Sequence, residues 1–232
     1  MSGCPVLEKL TIDECIGCDH LVISSPSLKV LALEMCETMS ICLKKANNLI
    51  DFTLEGYQGR CFIKSLPKIK RFSVERCIKY PYADIPTTLL ASSFSSLEYL
   101  KLDQFNLNDK EDILYFVNVL KSAPRLIELV IKQRLKDVDA TQVSDLSKEL
   151  ESHSCCLKLK IVKVYTRACS QHAMSLIMSI LANSPLLKIL TVCRYDKLDA
   201  RMLLKISQNL LWMKRASPGA QVNFIHSTYG HY

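Results

Sequence analysis

Cysteine and histidine are the residues of this sequence whose types and spacing could bind a metal. Cys15 and Cys18 form a C-x-x-C pair, and His20 and Cys36 follow nearby. A zinc site takes four such ligands, usually as two closely spaced pairs. The sequence offers no second pair at the required spacing, and Cys15 also fits a structural position in the repeats described below. We therefore predict that the chain binds no metal.

A thiol nucleophile is the other chemistry that the sequence could carry. Cys155 and Cys156 lie beside His153, but no local signature of a cysteine enzyme surrounds them, and buried cysteines are mostly inert. His226 and His231 fall in a C-terminal stretch that we expect to be frayed. Six glycines leave little room for a phosphate-binding loop. Because no nucleophile can be paired with a base, the chain is predicted not to be an enzyme and to need no cofactor.

Composition predicts a folded intracellular protein. Of the 232 residues, 49% are hydrophobic and 23% are charged, which suits an ordinary globular core. The net charge of +7 is spread along the chain without interleaved aromatic residues, so a nucleic-acid partner is not expected. No apolar run approaches the roughly 18 residues of a membrane span, so no membrane partner is expected either. The odd count of 11 cysteines, without a secretory signal, predicts free thiols in the cytoplasm or the nucleus.

The strongest pattern is an internal repeat of the form L-x-x-L-x-L, in which Ile, Val or Phe can replace Leu. Its eight copies begin at Leu7, Leu28, Leu49, Ile69, Leu97, Leu126, Leu159 and Leu187. This spacing is mostly that of leucine-rich repeats, whose Asn/Cys position would hold Cys15, Cys36 and Cys77. The last two apolar positions of each copy alternate with polar ones, which is typical of a short strand with one face in the core. One copy cannot bury that face alone, so neighbouring copies must stack.

Stacked copies predict an α/β fold, a leucine-rich-repeat solenoid with a curved parallel sheet inside. Its convex side is expected to be irregular at first and helical later, with short repeats over residues 1–105 and longer repeats over residues 106–232. Helices are predicted after caps at Asn108 or Asp109, at Asp139 and at Asp199, and over His172 to Asn183. A last strand is predicted from Gln221 to Ile225.

The repeats resemble those of plant F-box/FBD/leucine-rich-repeat proteins, because several open with C-P-x-L or S-P-x-L. The C-terminal segments CLKLKIVKVY, ILANSPLLKILTV and RASPGAQVNF are similar to the FBD segment that closes many members of that family. The stretch TRACSQHAM departs from the family pattern, which usually has a glycine and acidic residues there. The F-box segment is interpreted as missing, since the chain opens inside a repeat.

The resemblance implies the substrate-recognition part of a cullin-type ubiquitin ligase. The ligase adaptor would dock only if an F-box is supplied elsewhere. One alternative is a stand-alone scaffold or decoy that binds a protein partner without ligase recruitment. Another is a small-molecule sensor, which would need a deep pocket lined by bulky residues.

Side chains that alternate with the core positions predict a protein-binding concave face made of three columns. One of these, the acidic column, consists of Asp13, Glu34, Glu55, Glu75 and Asp103. Like charges on strands about 4.8 Å apart repel, so this column is expected either to receive a basic segment of a partner or to be satisfied by lysines and water. A mixed aromatic and basic set, of types common at interfaces, consists of Tyr99, Lys101, Lys132, Lys163 and Tyr165.

Overall fold

A computed structural model describes residues 6–36, 38–43, 45–56, 62–75, 91–107, 109–134, 157–166, 171–194 and 200–226. The chain divides into two compact units. Unit 1 comprises Met1–Gln104 and Leu114–Leu126, and unit 2 comprises Phe105–Ile113 and Ile127–Tyr232. The predicted change of repeat type between residues 105 and 106 stays a prediction, since compactness does not distinguish one repeat type from another.

Eight described strands begin in unit 1: β1 (Lys9–Asp13), β2 (Cys18–Val22), β3 (Val30–Glu34), β4 (Thr38–Cys42), β5 (Asp51–Glu55), β6 (Phe62–Ser65), β7 (Arg71–Glu75) and β8 (Tyr99–Phe105). Five of them belong to the main sheet, in the order β1-β3-β5-β7-β8, and the other three form a smaller sheet in the order β2-β4-β6. Neighbouring strands are parallel in both sheets. The chain thus alternates between the two sheets as it passes through successive repeats.

The strands of the main sheet place every second side chain in the core. In β5, Phe52 and Leu54 are buried, whereas the residues between and beside them are only half-buried. Phe52 lies in register with Leu31 on one side and with Phe72 on the other, so the core positions of neighbouring repeats line up. The predicted strand positions and their stacking are confirmed. We call the side of the main sheet that faces away from this core the front face.

A left-handed turn follows each of the first three strands of the main sheet. Glu14, Met35 and Gly56 have φ angles of 52°, 46° and 60°. The N–H of Glu14 donates to the carbonyl oxygen of Glu34 at 3.0 Å, and the N–H of Met35 donates to that of Glu55 at 2.9 Å. Glycine fits this conformation best, and a Cβ at Gly56 would lie 2.8 Å from Cγ of Met35. These turns therefore tie each repeat to the next one.

The smaller sheet differs from the prediction, which gave the early return segments an irregular structure. Leu21 on β2 pairs in register with Ile41 on β4, which pairs with Ile63 on β6. Ile41 and Ile63 are fully buried, so the return segments place apolar residues at matching positions of their repeats. Each of these residues belongs to a short run that contains other apolar residues, and only the stacking of repeats aligns the three of them.

Unit 2 continues the same pattern with helices. Its strands are β9 (Glu128–Gln133), β10 (Ile161–Thr166), β11 (Ile189–Arg194) and β12 (Gln221–His226), which lie in that order and are parallel. The α-helices whose bounds are described are α1 (Lys110–Ser122), α2 (Gln171–Asn183) and α3 (Ala200–Trp212), and a short 3-10 helix covers Phe94–Ser96. The nine strands of the main sheet confirm the α/β leucine-rich-repeat class.

The predicted helices near residues 110, 172 and 200 are confirmed, whereas the helix predicted after Asp139 lies outside the described residues. The last strand is also confirmed, but His226, which was predicted to belong to the frayed terminus, is its final residue. The reason is pairing, since His226 lies in register with Arg194 on β11. No helix in the described ranges is long and apolar enough to cross a membrane.

The start of α1 shows how a polar pattern fixes a helix. The N–H of Asp112 donates to Oδ1 of Asp109 at 3.4 Å, as expected for a helix cap. Asp112 itself is 1% exposed, and its Oδ2 accepts the N–H of Asn106 at 2.8 Å. The two carboxylates therefore satisfy backbone donors on both sides of the helix start.

We predict that Asp112→Ala lowers the free energy of unfolding by about 1–3 kcal/mol, because it leaves the N–H of Asn106 without its acceptor. Asp109→Asn is the control and should change it by less than about 0.5 kcal/mol, since asparagine caps helices about as well as aspartate. Urea unfolding followed by circular dichroism measures both variants. Equal midpoints for the two would contradict the assigned role of Asp112.

Candidate protein-binding faces

The front face of unit 1 consists of side chains held in columns by the strand register. The first column is Lys9, Val30, Asp51, Arg71 and Tyr99, and the second is Thr11, Ala32, Thr53, Ser73 and Lys101. In the third, the register pairs Asp13 with Glu34 and Glu34 with Glu55, and pairs Glu75 with Asp103. The residues of the predicted acidic column thus lie at the same position of successive strands. Six carboxylates share this face with three cations, so its charge balance is acidic.

Lys101 neutralises the middle of the acidic column. Its Nζ lies 2.8 Å from Oε1 of Glu55 and 3.5 Å from Oδ2 of Asp103, and its side chain is only 19% exposed. Ser73 is the neighbour of Lys101 in register, and its small side chain leaves room for the lysine to extend over β7 toward β5. Burial lowers the pKa of Lys101, but the hydrogen bond to Glu55 and the nearby carboxylates outweigh burial and raise the pKa.

The other acidic residues divide into two groups. Oε2 of Glu75 accepts the N–H of Gly56 at 2.9 Å, so this carboxylate also has a partner inside unit 1. No salt bridge reaches Asp13 or Glu34 from any cation in the described ranges. Internal contacts therefore account for three members of the column, Glu55, Glu75 and Asp103.

Arg71 and Tyr99 form an ordered aromatic and cationic pair in the first column. Nε of Arg71 lies 3.3 Å from Oδ2 of Asp51, and the guanidinium carbon lies 3.9 Å from the centroid of the Tyr99 ring. A guanidinium stacked on an aromatic ring and held by a carboxylate keeps one orientation. The pair therefore forms a defined part of the front face of unit 1.

Unit 2 brings together the other half of the mixed set. Nζ of Lys163 lies 3.4 Å from Oε1 of Glu128, and Nζ of Lys132 lies 6.0 Å from the centroid of the Tyr165 ring. Lys132 and Tyr165 are neighbours in register on β9 and β10. The mixed set predicted from the sequence is therefore distributed over both units, with Tyr99 and Lys101 in unit 1.

The front face of unit 2 also contains apolar residues that the sequence analysis did not select. Ile189 is 36% exposed and Ile225 is 48% exposed. A signal for Ile189 exists, since β11 begins with two consecutive apolar residues, where strict alternation would place a polar residue on the front face.

The cysteines that could have bound a metal have structural surroundings. Cys36 is buried, and its Sγ donates to the carbonyl oxygens of Ile12 at 3.4 Å and of Glu34 at 3.2 Å, as expected for the Asn/Cys position. Partial burial, together with the thiols of Cys18 and Cys36, raises the pKa of Cys15, which keeps it in the less reactive thiol form. No group of three or more His, Cys, Asp or Glu residues in the described ranges could hold a metal ion.

Of the remaining candidate residues of the sequence analysis, one lies in the smaller sheet and five lie outside the described residues. His20 accepts or donates a hydrogen bond with Oγ of Ser40 at 2.7 Å, as a member of the smaller sheet. The set made of His153, Cys155 and Cys156 lies outside the described residues, as do Cys77 and His231. The predictions made for these five residues therefore stay predictions.

Comparison with protein families gives a match for the N-terminal part of the chain. Residues 1–72 match the family described as "FBD-associated F-box protein At5g56370, LRR repeats". A comparison with curated proteins found no match. The family match confirms the resemblance to repeats of F-box-associated proteins over these 72 residues, and it supports a protein-binding repeat module.

Proposed function

We propose that this chain, whose residues 1–72 carry leucine-rich repeats of the FBD-associated F-box type, recognises a substrate protein for an F-box-type ubiquitin ligase. The observation that carries the proposal is the front face of unit 1, where five parallel strands hold side chains in register. Fixed columns of this kind supply many contacts over an extended surface, which suits a protein partner. The binding surface proposed here is this face.

Several side chains of this face are held in place before a partner binds, which supports this choice of surface. Arg71 is held by Asp51 and Tyr99, and Lys101 is held by Glu55 and Asp103. Side chains that already occupy one arrangement lose less conformational entropy when a partner docks. Arginine and tyrosine are also frequent among the residues that contribute most to protein interfaces.

The proposal extends to the charge of the partner. Asp13 and Glu34 end β1 and β3 on the front face, and Lys101 does not neutralise them. A partner segment that carries lysine or arginine would offset their mutual repulsion. We assign to the acidic column the recognition of this basic segment, with Asp13 and Glu34 as its accepting residues.

Activity would then come from the assembly that the chain joins, in the cytoplasm or the nucleus, and not from catalysis by the chain. The stand-alone scaffold or decoy is the alternative, because a match to repeats alone suits any role that rests on protein binding. Detection of the ligase adaptor separates the two. A small-molecule sensor is less suited to the front face of unit 1, where Ala32, Thr53 and Ser73 give a shallow centre.

Proximity labelling in plant cells tests the proposal. The full chain, the double variant Arg71→Glu/Tyr99→Ala and the control Lys45→Glu would each be expressed with the same label. Lys45 is exposed in a return segment, so its reversal changes the net charge without touching the front face. We expect the ligase adaptor and cullin to be enriched with all three proteins, and a further set of proteins to be enriched with the wild type and the control and lost from the double variant.

Other outcomes would be equally informative. Enriched proteins that depend on Arg71 and Tyr99, without adaptor or cullin, would establish protein binding and favour the scaffold or decoy. Identical enrichment for the wild type and the double variant would overturn the assignment of the front face of unit 1. Melting curves of the purified variants would show that each one is folded.

A further inference from the structure

The first and last strands of the main sheet each have one edge that no other strand covers. In the part of the chain that the structure describes, β1 pairs with β3 alone and β12 pairs with β11 alone. Such an edge presents a row of backbone N–H and C=O groups to which another strand can pair. We call these the free edges of β1 and β12.

The backbone groups at the two free edges have matching positions. Glu8 bonds toward β3 through its carbonyl oxygen, and Glu14 does so through its N–H. Successive residues of a strand direct these groups to opposite edges, so Thr11 directs its own to the free edge of β1. On β12 the N–H of Gln221 donates to a carbonyl oxygen just before β11 at 2.8 Å, so Val222 faces the free edge. Core positions of β12 would therefore meet front-face positions of β1, as core positions of β1 meet front-face positions of β3.

Core side chains are incompletely covered on both of these strands. Leu10 and Ile12 on β1, and Val222 and Phe224 on β12, are half-buried, whereas the core positions of β3 and β5 are buried. The most exposed large apolar side chains of the described residues also belong to the first or the last repeat: Val6, Ile16, Leu204, Leu211 and Trp212. Apolar surface that internal repeats cover by stacking is therefore left open in the terminal repeats.

The two terminal repeats have opposite charges. Residues 6–22 contain four acidic residues and one lysine, whereas residues 200–226 contain four basic residues and no acidic one. Asp13 at the end of β1 and Lys214 between α3 and β12 are both exposed. Unlike charges favour contact between the first repeat of one copy and the last repeat of another, and like charges oppose contact between two first or two last repeats.

We propose that β12 of one copy of this chain pairs in parallel with β1 of a second copy, so that copies associate head to tail. The register of the internal junctions places Val222 beside Leu10 and Phe224 beside Ile12, which completes the burial of all four side chains. Each pair of copies keeps one free edge of either kind, so further copies can add. The inference goes beyond the proposed function, since it concerns the strand edges and not the front face.

Sedimentation velocity of the full chain tests the proposal. The average mass of the wild type should rise with protein concentration and fall as salt is added, because salt screens the attraction between unlike repeats. Thr11→Pro and Val222→Pro each remove an N–H from one free edge and place a proline ring there, without removing a bond to β3 or β11. Each variant alone should stay monomeric, since head-to-tail contact needs both edges.

A mixture of the two variants distinguishes unlike from like edges. Thr11→Pro keeps the free edge of β12, and Val222→Pro keeps that of β1, so an equimolar mixture should form dimers and nothing larger. Thr11→Ala and Val222→Ala are the matched controls, which keep the N–H and should associate as the wild type does. Hydrogen exchange of the wild type needs no variant, and the amides of Thr11 and Val222 should exchange more slowly at high protein concentration than at low.

Three results would overturn head-to-tail association. The first is a wild type that stays monomeric at every concentration. The second is a dimer that only one of the two proline variants abolishes, because this pattern indicates contact between like edges. The third is association that neither proline variant weakens, which places the contact on another surface. Recognition through Arg71 and Tyr99 does not depend on these edges, so each of these results leaves the proposed function in place.

Discussion

Phe72→Ala should lower the free energy of unfolding by about 3–5 kcal/mol, the cost typical of removing a buried aromatic ring. The ring centroid of Phe72 lies 5.8 Å from that of Phe52 and 5.3 Å from that of Phe94. All three residues are fully buried, and Phe52 and Phe72 belong to neighbouring strands. The substitution therefore leaves a cavity between repeats and removes two aromatic contacts, which add stability beyond the buried area.

Phe72→Leu is the matched control. It keeps most of the buried apolar volume and should cost less than about 1.5 kcal/mol. Urea unfolding followed by circular dichroism measures both variants, and the difference between them isolates the effect of the ring. A loss below about 1 kcal/mol for Phe72→Ala would contradict the role of this aromatic stack, because only substitutions at exposed sites have so small an effect.

Lys101→Met should lower the free energy of unfolding by about 2 kcal/mol at neutral pH. The variant keeps the aliphatic stem but removes the cation between Glu55 and Asp103, whose carboxylates then repel each other. Removing one partner of a buried pair costs about 3–5 kcal/mol, and the partial exposure of Glu55 reduces that figure. A stability change of this size would show that the front face of unit 1 helps to hold the fold.

Lys29→Met supplies the control for the second prediction. Lys29 lies 2.6 Å from Glu8, but their side chains are 50% and 62% exposed, so this variant should cost less than about 0.5 kcal/mol. Chemical denaturation of the three proteins under the same conditions gives the comparison. If both lysine variants lost the same free energy of unfolding, burial would not be the reason that the Lys101 pair stabilises the fold.

The pH dependence of the Lys101 contribution follows from the direction of its pKa shift. The pKa is raised from 10.5 on folding, so the stabilising charge is fully present below that value in both states. The contribution is lost as the pH rises through the raised pKa. The wild type and Lys101→Met should therefore differ in free energy of unfolding by a constant amount from neutral pH to pH about 9. This difference should shrink only in strong alkali.

Local periodicity was enough to predict the main sheet. Leu31 and Leu33 alternate with half-buried residues in β3, and this pattern alone defines a strand with one face in the core. Asp109 similarly indicated the start of α1, because a cap acts within one helical turn. Both features depend on residues that are close in sequence, which is why a single sequence contains them.

The smaller sheet could not be predicted because its cause lies between repeats. Leu21, Ile41 and Ile63 become neighbours only after the repeats stack, and each one lies beside another apolar residue, so its own segment does not single it out. Its strands are short, and a single segment carries too few alternating positions to indicate a strand.

The candidate sites were predicted in position but not in electrostatics. Spacing placed the acidic column on one face, yet it could not show that Lys101 crosses β7 to reach Glu55, because that contact depends on the small size of Ser73 on another strand. It also could not show that Lys163 pairs with Glu128 on the neighbouring strand. Side-chain reach across two strands is a property of the assembled sheet, so the columns had to be seen in register.

The left-handed turns after β1, β3 and β5 bear on how an array of this kind changes its length. Each turn residue bonds to a group at the end of the next strand in the sheet, as Glu14 does with Glu34 and Met35 with Glu55. If one whole repeat is inserted or lost between such turns, every turn still bonds to the same type of strand end as before. Insertion of part of a repeat instead shifts the alternation and turns core residues outward. The turns therefore divide the chain into interchangeable modules, and recombination at these points would add or remove one row of front-face side chains at a time.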